Sequence, residues 1–196
     1  MIRLIVCLLI WTTAATAQSL PKRYSVTGVA DDDILNIRSW PAASFDKIGE
    51  FGPYTLTVEV LRVEDGWGMV PAGERNGWVS MQFLEPYPIP AFEVPRPLVC
   101  SGTEPFWTFA LYPRGSEYDS TGTGLRDLEI LRELAAENGF LVQAREGPTL
   151  ERTIVVNALP CNDGMSDRDF GMTATLFNET PEGSYVETGC CTFQSN

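Results

Sequence analysis

The sequence predicts an all-β protein built from two small modules. Three observations carry this. Short β-type runs separated by turn residues fill residues 24–84, a proline-dense stretch follows, and a second set of alternating runs carries all the cysteines of the mature chain. In the first half the runs are YSVTGV, ILNIRS, LTVEVLRV, WGMV and GWVSM. Their β-branched content and close spacing suit a small barrel better than helices. Residues 86–98 contain prolines at 86, 88, 90, 95 and 97. Proline fixes φ and lacks an N–H, so this segment reads as an extended linker of limited flexibility, dividing residues 22–85 from residues 99–196.

The second half begins with PFWTFALY, where Trp107, Phe109 and Leu111 alternate with Phe106, Thr108 and Ala110. Apolar character on nearly both faces marks an inner strand. RTIVVNAL, MTATLF and GSYVETGCCTF supply further strands, with turns at Asn162-Asp163-Gly164 and Pro181-Glu182-Gly183. Residues 124–146 are ambiguous. Leu125, Leu128, Leu131 and Ala135 keep helical spacing, whereas Leu128, Ile130 and Leu134 also fit a period of two, and Asn138-Gly139 is a favoured hairpin turn.

The N-terminus has the pattern of a secretory signal peptide: Arg3, an apolar run from Leu4 to Trp11, and a small-residue end at Ala17. Cleavage near Ala17 makes the expected location periplasmic or secreted. No later stretch approaches the roughly 18 apolar residues of a membrane span. Loss of Arg3 takes the formal charge from -12 to -13, a balance that repels nucleic acid and anionic lipid. The chain has no histidine, which excludes Ser-His-Asp and Cys-His nucleophile pairs and imidazole metal sites.

Cys100, Cys161, Cys190 and Cys191 remain after processing. No C-x-x-C spacing supports zinc, so two disulfides are expected, and neither a metal nor another cofactor. Adjacent strand residues point to opposite faces. Cys190 and Cys191 are therefore expected to bond Cys100 and Cys161, one bridge inside a barrel wall and one outside, with the pairing left open.

The stretch CNDGMSDRDF, residues 161–170, admits three readings. Its aspartates stand in the wrong register for a calcium loop of the D-x-D-x-D-G type. A carboxylate pair for wall hydrolysis requires Glu104 to fold beside Asp163 or Asp167. The preferred reading is a tight turn: Asp163 and Ser166 accept backbone N–H bonds, and Arg168 pairs with Asp167, Asp169 or Glu104. Such a pinned, charged loop also offers a recognition surface through Glu104, Asp163, Ser166, Asp167 and Arg168.

Two resemblances sharpen these expectations. LNIRSWPAASFDKIGEF, TLTVEVLRVEDGWGMV and NGWVSMQFL together resemble a bacterial SH3 domain, with Trp40 where glycine usually precedes the proline. The resemblance implies an SH3-like barrel that binds peptide, often of the cell wall, or a protein partner of the envelope. Trp67 and Trp78 read first as barrel core, whereas Trp40 sits in a turn with no core face and reads equally as a binding platform and as a ring packed against the proline-rich linker. The candidate ligand-binding residues are Asn36, Arg38, Trp40 and Trp67. GTEPFW, CNDGMSDRDF, TATL and the late GCC are similar to an uncharacterised family of bacterial envelope proteins. That similarity implies a disulfide-stapled small antiparallel β-barrel, with residues 125–145 as a hairpin, and brings no activity. The expected function is non-catalytic binding in the envelope; the alternatives are a wall hydrolase and an inhibitor of wall-degrading enzymes, the latter because small disulfide-bonded periplasmic barrels often act so, although SGTEPF, residues 101–106, only faintly resembles the inhibitor signature, with Phe106 where a hydroxyl is wanted.

Overall fold

The computed structural model describes residues 21–90 and 92–195; the expected signal peptide lies outside them. Among these residues every regular element is a strand apart from one 3-10 turn, Met81–Phe83. No helix among the described residues is long and apolar enough to cross a membrane.

In the first module β1 (Lys22–Val26), β2 (Leu35–Arg38), β3 (Lys47–Phe51), β4 (Val58–Val60), β5 (Arg62–Glu64), β6 (Trp67–Ala72), β7 (Arg75–Ser80) and β8 (Leu84–Pro86) form two sheets. The orders are β4-β1-β8 and β3-β2-β7-β6-β5. The chain passes between them at Leu61, between β4 and β5. Alternation decides which side chains enter. On β2, Leu35 and Ile37 are buried while Asn36 and Arg38 turn outward. The interior is largely aliphatic, with Val26, Ile37, Val58, Val70 and Val79 at its centre. Asp65 and Gly66 take φ of 45° and 80°, the left-handed pair that a tight turn between β5 and β6 requires.

The second module comprises β9 (Leu98–Thr103), β10 (Phe106–Leu111), β11 (Ser116–Ser120), β12 (Arg126–Asp127), β13 (Glu129–Ala136), β14 (Gly139–Glu146), β15 (Leu150–Asn157), β16 (Cys161–Asn162), β17 (Asp169–Phe170), β18 (Met172–Thr180) and β19 (Gly183–Phe193). Nine of them make one antiparallel sheet, β12-β11-β10-β9-β19-β18-β15-β14-β13, curled into a nearly closed barrel. The ambiguous stretch is a hairpin: β13 pairs with β14 from Glu129↔Arg145 to Ala136↔Gly139. Helical spacing loses there because β14, buried on alternate residues at Val142 and Ala144, needs a partner strand along its other edge. The turn residues are Glu137 and Asn138, one position earlier than the Asn-Gly pair suggests.

Both disulfides form, on opposite faces of β19. Cys100–Cys191 lies in the barrel interior and Cys161–Cys190 outside it, clamping the 161–170 loop to the wall. Two disulfides fit an oxidising compartment outside the cytoplasm. The proline-rich linker does not stand free between the modules. Val94 is buried in the second core, Ile89 packs against it, and Arg96 pairs with Glu133 of β13.

Candidate functional site

Two motifs of the second module, GTEPFW and CNDGMSDRDF, line a cleft of about 1050 Å³ between the modules. Its floor is the outer face of the barrel wall. On β10, Trp107 and Phe109 point inward, so Phe106 and Thr108 point outward. Register then aligns neighbours across the wall: Asp119 of β11 opposite Thr108, Thr108 opposite Ser101 of β9, and Ser101 opposite Cys190 of β19. Phe106 lies opposite Thr103 in the next row and is 54% exposed. The 121–124 loop borders one side of the cleft, the 163–170 loop another, and Gly73 and Glu74 of the β6–β7 turn close it from the first module.

Gly102 and Gly189 explain two of the motifs. Both positions pack against the Trp107 indole, and a Cβ on either meets ring or backbone atoms well inside 3.0 Å. The glycines of GTEPFW and GCC are therefore two sides of a slot for one buried tryptophan.

The 161–170 loop is a built turn. The Asp163 carboxylate accepts hydrogen bonds from Met165 N–H (3.0 Å), Ser166 N–H (2.9 Å) and the Ser166 hydroxyl (2.9 Å). The Ser166 N–H leads in holding its carboxyl below the usual range, so Asp163 stays ionised. Gly164 donates to Asn162 Oδ1 at 2.8 Å, and Thr103 donates to the Asp163 carbonyl at 3.1 Å.

Arg168 departs from expectation. It pairs with none of Asp167, Asp169 or Glu104; it stacks on Phe170 (4.3 Å) and donates to Thr192 Oγ1 at 2.6 Å. Thr192 in turn donates to Glu59 of the first module. Glu59 is buried because Val58 and Val60 fill the first core, leaving the residue between them to face the second module. Desolvation pushes its carboxyl up to about 7, against the opposing pull of Thr192 and Arg168. Arg23, opposite Glu59 on β1, lies between the rings of Tyr87 and Phe193. Asn76 exchanges two hydrogen bonds with the Asp169 backbone, and the Arg75 and Asp167 backbones form a parallel bridge. The loop is thus also the clasp between the modules.

The structure brings Asp163, Ser166 and Arg168 to the cleft, whereas Glu104 and Asp167 are exposed and do not line it. Asn36, Arg38 and Trp67 meet on the first module, lining a groove of about 430 Å³ whose rim includes Asp33. Trp78 is buried beside Leu61 and Met69, with the half-buried Trp67 packed against that cluster. Trp40 lies outside the groove, 62% exposed, with its ring 6.4 Å from that of Phe45. Arg38 holds this turn by donating to the Phe45 carbonyl at 3.1 Å. Ser101, Phe106, Thr108 and Asp119 are the cleft residues that sequence reasoning missed. The alternation of PFWTFALY signals their outward set, but only register joins β9 and β11 to it. Among the described residues, no group of three carboxylates or cysteines converges as a metal site.

The chain matches no protein-family model, no curated protein and no solved structure.

Proposed function

We propose that this chain is an exported envelope-binding protein whose first module, of SH3 type, docks on cell-wall peptide. The observation that carries the reading is the groove in which Asn36, Arg38 and Trp67 share one face. Beside it stands the exposed Trp40–Phe45 pair. A flat ring held in a turn offers contact area at small entropic cost, and the acidic rim at Asp33 suits a peptide carrying amines. Catalysis by the aspartate loop has less support. Asp163 spends its lone pairs on its own turn and is held ionised, so it is a poor general acid, and Glu104 does not line the cleft.

The test is retention of the disulfide-intact protein on purified peptidoglycan, with the supernatant assayed for released fragments. Retention that falls about tenfold in Trp40→Ala, with no release, is expected. Absence of retention sinks the reading. So does release that disappears in Asp167→Asn.

A further inference from the structure

From the composition of the interdomain cleft we infer that it is a second binding site, for a neutral oligosaccharide. The inference rests on the envelope reading above and adds the sugar strand to the peptide as a ligand.

The floor carries small oxygen-bearing side chains in one cross-strand row: Asp119, Thr108 and Ser101. Strands β11, β10, β9 and β19 lie side by side beneath it. Neighbouring strands are about 4.8 Å apart, so the row and its flanks run about 14 Å, room for a few pyranose rings. Sugars offer hydroxyls along their edges and C–H groups on their faces. Carboxylate and hydroxyl side chains match the edges, and an exposed aromatic ring matches a face. Asp119 is exposed, Phe106 stands at the end of the floor, and Ser120, Thr121 and Thr123 line the same cleft.

Other ligand classes fit less well. An extended peptide binding by strand addition needs an open sheet edge, and β9 and β10 have partners on both sides. An anionic polymer meets Glu74, Asp119 and Asp163 against Arg168 alone, and Arg168 already faces Thr192 and the buried Glu59. An apolar chain finds a floor of hydroxyls that it leaves without partners. A neutral sugar satisfies these groups at little electrostatic cost.

The experiment is a calorimetric titration of the disulfide-intact protein with tetra-N-acetylchitotetraose, followed in parallel by amide chemical shifts. A sugar-free wall stem peptide is titrated separately. The tetrasaccharide is expected to bind with shifts on β9, β10 and β11, and Phe106→Ala and Asp119→Asn should each raise Kd about tenfold. Both side chains are exposed, so a thermal melt matching the parent confirms the fold. Trp40→Ala should leave saccharide binding unchanged. No binding up to about 10 mM, or the parent's affinity retained in both cleft variants, overturns the inference. Peptide-induced shifts on the cleft floor without saccharide binding overturn it too. Loss of peptide binding with saccharide binding intact instead sinks the proposal for the first module and leaves this one standing.

Discussion

The first module encloses a core of short aliphatic side chains and contains no cysteine; the second runs a disulfide through its core and a polar ladder through one end. In that ladder Arg152, 2% exposed, lies on the Tyr118 ring at 3.4 Å. It donates to Glu146 from Nε at 3.0 Å and Nη2 at 2.5 Å, and to Asn178 Oδ1, while Asn178 donates to Glu187 at 2.8 Å. The difference tracks the pairing problem each must solve. In a nine-stranded sheet, a one-residue slip of β15 moves Ile154 outward and strips Arg152 of its partners, so the ladder penalises every wrong register. In the small module, tight turns such as Asp65-Gly66 do that work locally.

The comparison breaks most sharply at the interior disulfide. Cys100–Cys191 closes a separation of 91 residues, which in the chain-entropy model stabilises the fold by about 4 to 5 kcal/mol. The double variant Cys100→Ala/Cys191→Ala should lose about that much by urea unfolding, with amide exchange accelerating in β9 to β19. Exchange in the centre of the first module should change far less. Equal acceleration in both would show that the modules unfold as one unit.

The seam gives the next largest effect. Glu59 titrates near 7 in the fold against a usual 4.5. A raised carboxyl contributes stability that is whole below the unfolded pKa and is lost as pH rises through the folded one. Stability should therefore fall between about pH 4.5 and pH 7, by up to about 3 kcal/mol. Arg168, which faces this carboxyl, reduces the fall, and Glu59→Gln should flatten it. A Glu59→Gln protein with the parent's pH slope would place the titrating group elsewhere.

Much of this architecture is legible in the residues. Alternation marks β10, β15, β18 and β19, and the adjacency of Cys190 and Cys191 calls for bridges on both faces of one strand. Turn chemistry identifies the Asp163-Ser166 turn, since a carboxylate before glycine has backbone donors within reach. Contacts set by register are not legible. Glu59 and Thr192 are 133 residues apart, and no local pattern announces that Arg168 will turn to Thr192 instead of its neighbouring aspartates. The Thr108-Ser101-Asp119 row is hidden for the same reason: each residue is ordinary until pairing aligns three strands. Trp67 and Trp78 look alike as residues following glycine and share one face of the β6–β7 pair, yet register sets Trp67 opposite Ser80 at the strand end, where it lines a groove, and Trp78 opposite Met69 in a buried cluster.

The smallest effect compares one tight glycine from each module. At Gly102 a Cβ runs into the Trp107 ring and the Thr188 carbonyl; at Gly77 it runs into Ile37 and Ile48 side chains first, with the Arg38 carbonyl at 3.1 Å. Overpacking costs typically about 1 to 3 kcal/mol, least where flexible side-chain ends give way. Gly102→Ala should therefore fall near the top of that range, because the indole is wedged between Gly102 and Gly189 on a wall pinned by two disulfides. Gly77→Ala should cost less, about 2 kcal/mol, since the Ile48 Cδ1 methyl can turn away while Ile37 Cγ2, on a buried β-branched side chain, moves only with its χ1. Urea unfolding of the two variants, with Trp107 fluorescence reporting the slot, measures the difference. Equal costs would mean that the first core is as rigid as the stapled one, and that the disulfides contribute through the unfolded chain without stiffening the native wall.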